Sequence, residues 1–260
     1  GVSLVKPLAS TNNPYFLKPI WQSVFRQRWA FGIALILLWG AIRFWMVLQA
    51  NVIGSYQWVS LIFVSMWIAP FLFLTRNGRR QIGMTWPRQW SWLLLGLILG
   101  GLAALLMYWI GTALYGHTNQ HWFGYISHTY SVPVDLSTSD RWVYFGIFSS
   151  VGMTFSPIGE ELFYRGMVHE SFVPRWGDRI ASYLDSAAFA LVHLAHFGIV
   201  YRSGQWEWWA LPGLLWVLLL FGLCQLFFLV RKRSGSLLGA KLCHSGFNAA
   251  MTYTIFFYLL

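Results

Sequence analysis

Charge is scarce in this chain. Of 260 residues, only 10% are Asp, Glu, Lys or Arg, against ~25% in an ordinary soluble domain. Acids are scarcer still, 8 against 18 basic residues. A soluble domain of this length cannot keep its surface wet with so few charges. That excludes an ordinary cytosolic enzyme, a disordered chain and a nucleic-acid binder with its charge on one soluble face. Cysteine is nearly absent too. Cys224 and Cys243 both sit in apolar runs and read as buried thiols, not as a disulfide or a metal pair. Two hydrolase signatures are missing. There is no G-x-S-x-G elbow, and His169-Glu170 is followed by Ser171, Phe172 and Val173, so H-E-x-x-H is not formed. Internal repeats, low-complexity tracts and a separate soluble domain are lacking as well.

What is abundant is apolar. Hydrophobic residues make up 57%, with 17 Trp and 12 Tyr of the kind that gather at bilayer interfaces. A span needs about 20 mostly apolar residues. Seven segments qualify: 29–50, 56–74, 90–115, 141–173, 181–200, 208–230 and 236–260. The fold class expected is all-α, a polytopic helical membrane protein of about seven transmembrane helices. A short interfacial helix over 13–28 precedes them. The fourth span is overlong and is expected to be broken or tilted near Pro157 and Gly159. The first reads as an uncleaved anchor.

Basic residues cluster in alternate loops. The N-terminal segment holds Lys6, Lys18, Arg26 and Arg28. Loop 75–89 holds Arg76, Arg79, Arg80 and Arg88. Arg175 and Arg179 lie in 174–180, and Arg231, Lys232 and Arg233 in 231–235. The opposite loops hold only Arg141 and Arg202. The positive-inside rule then puts the N-terminus in the cytoplasm and the C-terminus across the membrane. Loop 116–140 reads as irregular, with His117, His121 and His128 solvated.

Ionisable groups at bilayer depth are costly and call for a functional account. Span four carries Glu160, Glu161 and Arg165. Span five carries His193 and His196, and span seven carries Lys241, His244 and Asn248. Arg43, in span one, reads as snorkelling to the outer interface. Straight helices place Glu160 about 21 Å, His193 about 18 Å and His244 about 12 Å from the cytoplasmic ends. One slab of membrane therefore holds them, and the cavity it implies opens to the cytoplasmic half. Glu161 and Arg165 are four apart, as are His244 and Asn248, so each pair shares a helix face. Phe189 lies one turn before His193. Glu160 and Glu161 point about 100° apart, so one can face a site while the other pairs with Arg165. Glu160 has Tyr164 at the i,i+4 spacing and no cation on its own helix. His196 and Cys243 read as packing residues.

Such a set suits peptide-bond hydrolysis. Glu160 with His193 can hold and deprotonate a water. His244 and Asn248 can donate to a carbonyl oxygen as it gains charge.

The strings Glu160-Glu161-x-x-x-Arg165, Phe189-x-x-x-His193 and His244-x-x-x-Asn248, in that order, resemble the three-motif signature of the CAAX protease and bacteriocin-processing family, also called Abi. The run before the third motif, R-x-G-S-L-L-G-A-x-x-x-H-S-G-F-N, is similar as well. The resemblance covers 156–248. It implies an intramembrane endopeptidase of the glutamic type with catalytic Glu160, His193, His244 and Asn248, supported by Glu161, Arg165 and Phe189. The substrate implied is a membrane-associated protein or peptide, in a bacterial inner membrane. No motif falls in 1–140. The chain is read as motif-free membrane helices over 1–140 and a catalytic core over 141–260, within one membrane domain. No cofactor is required. The alternative is a zinc protease using Glu160, His193 and His244 as ligands. A non-catalytic immunity or scaffold protein and a proton-coupled transporter are further readings.

Overall fold

A computed structural model describes residues 16–260. Lys6 and the first residues of the expected 13–28 helix lie outside the described residues. Helix α1 covers Pro19–Val24, α2 Arg28–Ile53, α3 Ser60–Phe73, α4 Arg76–Gln81, α5 Ser91–Tyr115, α6 Trp122–Ser127 and α7 Thr138–Gly152. Helix α8, Phe155–Glu160, runs into a π-helical segment, Glu161–Val168, and on into α9, His169–Val192. A 3-10 turn, His193–Ala195, leads to strands β1, Ile199–Arg202, and β2, Gln205–Trp208. Helices α10, Ala210–Ser234, and α11, Leu237–Thr254, close the order. The architecture is all-α, with one antiparallel hairpin as its only sheet among the described residues.

Helices α2, α5 and α10 are long and apolar enough to cross a membrane, and α3 is a shorter apolar helix. Their outward faces stay greasy: Leu37 and Trp45 on α2, Leu102 and Trp109 on α5, Leu211 and Leu218 on α10 are all exposed. Water would not tolerate so continuous an apolar surface, whereas lipid chains match it.

The fourth expected span breaks before Pro157, at Met153-Thr154, where α7 ends. Pro157 lies in the first turn of α8, where an amide donor is not needed. The fifth ends early. Its helix stops at Val192, and Ser203-Gly204, both at positive φ, turn the hairpin that follows. Loop 116–140 is not irregular throughout. His121 is fully buried and caps α6 by accepting from the Phe123 N–H at 3.1 Å, whereas His117 and His128 are exposed.

The motif-free helices are part of the same body. Helices α5 and α11 meet backbone to backbone. A Cβ on Gly100 would lie 1.8 Å from the Cys243 carbonyl oxygen, and one on Gly246 would lie 2.0 Å from that of Leu97. Only glycine permits this approach, and it fixes the helix that carries His244 and Asn248. The two ends of the bundle differ in charge. At one end the 74–90 segment meets 231–237, through Thr85 Oγ1 to Gly235 O at 3.3 Å and Ser236 Oγ to Thr85 O at 2.5 Å. The other end gathers 51–59, 117–137 and the hairpin, where Tyr125 Oη accepts from Tyr201 N–H at 2.8 Å.

Candidate active site

The π-helical segment determines how the two glutamates diverge. A π-turn carries more residues per turn than an α-turn and recurs at functional sites. Here it starts at Glu161, so Glu160 ends the α-helical part and Glu161 opens the wider one. Glu161 Oε2 lies 3.3 Å from Arg165 Nε, both fully buried. Glu161 Oε1 lies 2.8 Å from His244 Nδ1, and the other His244 nitrogen, Nε2, is 3.4 Å from Glu160 Oε2. One imidazole thus bridges the carboxylate pair, and Phe227 stacks on it with ring centroids 4.8 Å apart.

His193 opens the 3-10 turn. Asn51 donates to the Ala195 carbonyl at 2.7 Å and Trp216 Nε1 to that of His193 at 3.0 Å, which pins the turn. His193 Nδ1 sits 2.6 Å from the Phe189 carbonyl oxygen, so that nitrogen carries the proton and Nε2 is left to accept. Nε2 lies 4.0 Å from Glu160 Oε1. The Phe189 ring lies against that of His193, centroids 4.2 Å apart. Asn248, one turn beyond His244, donates to the Gly152 carbonyl at 2.8 Å and to Ser156 Oγ at 3.1 Å. The structure therefore brings all seven residues singled out from the motifs into one cluster.

Three neighbours were not legible. Arg43 does not snorkel. It is 1% exposed and its Nη2 forms an ion pair with Glu160 Oε1 while donating to His193 Nε2 at 3.3 Å. An arginine in an otherwise uncharged span was the available signal. His196 is not an isolated packing residue. In a 3-10 turn residues three apart eclipse, so its ring stacks on His193 at 4.9 Å, and Tyr56 Oη lies 3.0 Å from its Nδ1. Asp185, fully buried on α9, lies 3.9 Å from Arg165 Nε and accepts from His169 Nδ1 at 2.8 Å. His169 Nε2 reaches Asp178 Oδ1 at 3.0 Å, and Lys232 meets the other Asp178 oxygen at 2.5 Å. Burial opposes ionisation of Asp178, but the hydrogen bonds from Lys232 and His169 outweigh it and hold the carboxyl below the usual range.

The cluster floors a cavity of about 560 Å³. Arg43, Glu160, His193, His196, His244 and Asn248 line its polar part. Its mouth reaches Gln57 and Ser131, both exposed. These belong to the loops poor in Lys and Arg, so the cavity opens away from the arginine-rich end. At the arginine-rich end a second cavity of about 520 Å³, lined by Thr85, Glu161 and Lys241, approaches the same centre from the side that depth counting expects to open.

A zinc ion on Glu160, His193 and His244 does not fit this arrangement. A guanidinium already sits against Glu160 and His193, and His244 Nδ1 is committed to Glu161. A second cation there meets charge repulsion instead of free lone pairs. Among the described residues, His169, Glu170 and Asp178 lie close enough to share a metal. Each already has a partner, in Asp185, Arg231 and Lys232 respectively.

Fold and site together define a helical membrane protein with a buried carboxylate–imidazole centre. The segment that holds this centre is similar to a known family. Residues 142–250 match the family model Rce1-like, described as type II CAAX prenyl endopeptidase Rce1-like. The match bears out the CAAX protease resemblance read from the three motifs, all of which lie inside it. No curated protein and no solved structure matches the chain.

Proposed function

We propose that the protein is an intramembrane endopeptidase of the glutamic type, acting on a membrane-associated protein or peptide. The observation that carries this reading is Glu160, buried on the cavity floor with imidazole nitrogens 4.0 and 3.4 Å away. Glu160 takes a proton from a water held with His193, and the water oxygen attacks the scissile carbonyl carbon. The C=O π electrons move to the oxygen. The tetrahedral intermediate collapses as the proton held by Glu160 passes to the amide nitrogen, the C–N bond breaks, and acid and amine products leave. His244 and Asn248 supply donors to the oxyanion once they turn from their resting partners. Glu161, Arg165 and Asp185 hold His244 and the π-segment in place.

In this reading the chain crosses the bilayer seven times, with α7 through the first part of α9 serving as a broken fourth crossing. The arginine-rich end faces the cytoplasm, by the positive-inside rule. The cavity mouth then faces the other side.

Comparing protein termini in membranes carrying the wild-type chain with those carrying Glu160→Gln or His193→Gln tests the reading. At matched amounts of folded protein, a set of new C- and N-terminal ends appears with wild type alone. The same ends in all three samples, or none in any, refute it, and none in any would favour the immunity or scaffold reading.

A further inference from the structure

Arg43 occupies the seat that a hydrolytic water needs. A water activated by Glu160 and ordered by His193 must lie within hydrogen-bond reach of both. Glu160 Oε1 and His193 Nε2 are 4.0 Å apart, and Arg43 Nη2 bridges them. The same guanidinium has donors to spare. Its Nε and Nη1 are buried and make no hydrogen bond, and the residue lines the cavity. The donors expected to hold the oxyanion are all engaged. Both His244 nitrogens face carboxylates, and the Asn248 amide faces Gly152 O and Ser156 Oγ.

Charge conservation links these facts. At rest, the negative charge in the cavity floor sits on Glu160 and Arg43 balances it. When Glu160 takes the proton from water, it becomes neutral and the charge reappears on the carbonyl oxygen. In a low-dielectric site a cation that follows the charge keeps every stage neutral. We propose that Arg43 is a displaceable catalytic cation, seated between Glu160 and His193 at rest and transferred to the oxygen of the scissile carbonyl as water takes its place. The proposal rests on the endopeptidase reading. It adds a residue from α2, outside the matched segment and outside the three motifs.

Two measurements test it. The first needs no substrate. Infrared difference spectra of the carboxylate stretch in wild type, Arg43→Met and Arg43→Met/Glu160→Gln read the ion pairing of Glu160 directly. The groups that face Glu160 are Arg43 from α2, His193, Cys224 from α10, His244 from α11, and Glu161, Tyr164 and Arg165 from its own segment. Arg43→Met removes the nearest of the two cations, so the Glu160 carboxylate band, identified by its absence from the double variant, shifts from its wild-type position. An unshifted band overturns the proposal.

The second uses a peptide spanning a cut mapped by the terminus comparison. In Arg43→Met, kcat falls about 100-fold, as for loss of one oxyanion donor. KM changes far less. Arg43→Lys loses only about tenfold in kcat, because one ammonium keeps the charge but does not reproduce a planar fork. Methylguanidinium in the buffer partly restores Arg43→Ala, a rescue that a purely structural role does not give. Wild-type kcat in Arg43→Met overturns the proposal. Wild-type cleavage by Glu160→Gln instead overturns the peptidase assignment of Glu160, so the two failures are distinguishable.

Discussion

Removing the charge of either glutamate separates a sequence-level argument from the structure. Glu161 has Arg165 one turn on, and Glu160 has no cation on its own helix. From sequence, Glu161→Gln therefore destabilises and Glu160→Gln leaves melting unchanged. The structure reverses the order. Among the described residues Glu160 is the only carboxylate paired with the fully buried Arg43, whereas Arg165 keeps Asp185 at 3.9 Å when Glu161 is lost. Breaking a buried pair from one side costs about 3–5 kcal/mol, because the other charge stays buried without compensation. At ~2–4 °C per kcal/mol for a chain of this size, Glu160→Gln lowers the melting temperature by roughly 6–20 °C. Glu161→Gln lowers it by no more. Removing both charges leaves nothing to compensate, so Arg43→Met/Glu160→Gln melts above either single variant. The coupling energy in that cycle reaches about 3 kcal/mol. Cys224 and Cys243 are both fully buried, so a thiol-reactive fluorophore in detergent reports unfolding without added labels. A Glu160→Gln melting point within ~2 °C of wild type, with the double variant no better than the singles, refutes the buried-pair reasoning.

Three further outcomes are expected. Burial pushes His121 down to about 4, and its Nδ1 accepts from Phe123 N–H while Nε2 faces the Tyr108 carbonyl at 3.1 Å. A depressed histidine favours the fold fully above its unfolded pKa near 6.5 and loses that support as pH falls towards 4, by at most ~1.4 kcal/mol per unit. Detergent melting of wild type therefore drops over that window, and His121→Asn, which keeps a capping acceptor but does not titrate, shows a flatter profile. Cysteines at the exposed positions Asn77 and Arg233 react with an impermeant thiol reagent only in opened membranes, and those at Gln57 and Ser131 react in intact cells; the reverse pattern overturns the orientation. Cleavage survives exhaustive chelation; loss restored by stoichiometric zinc moves the assignment to the metal reading.

The helical class and the site's core were legible because their signals are local. Composition sets the solvent. The i,i+4 spacings of Glu161–Arg165 and His244–Asn248 place partners on one helix face, and the structure brings these motif residues together. What was not legible depends on chain segments far apart in sequence or on departures from α geometry. Arg43 is over a hundred residues from Glu160. An α-helix would turn His196 about 300° away from His193, but the chain there is a 3-10 turn. The hairpin after it was hidden because 181–200 reads as one apolar span, although Ser203-Gly204 is a hairpin-turn dipeptide. Pro157 reads as a break in the sequence, yet it occupies the one turn that accepts proline. His121 reads as solvated because a glycine-flanked loop conceals a six-residue buried helix.

The counter-ion of Glu160 is supplied from outside the stretch that carries the family signature, and this limits how the chain can be divided or recombined. A fragment beginning at Arg141 carries every motif residue and lacks Arg43. Grafting its helices onto another scaffold transfers a buried carboxylate without its nearest cation. Lineages that exchanged their N-terminal helices would have to keep a basic residue at this one helix position, or change Glu160 in step. Inheritance of the site is thus tied to a residue that a search confined to the signature does not see.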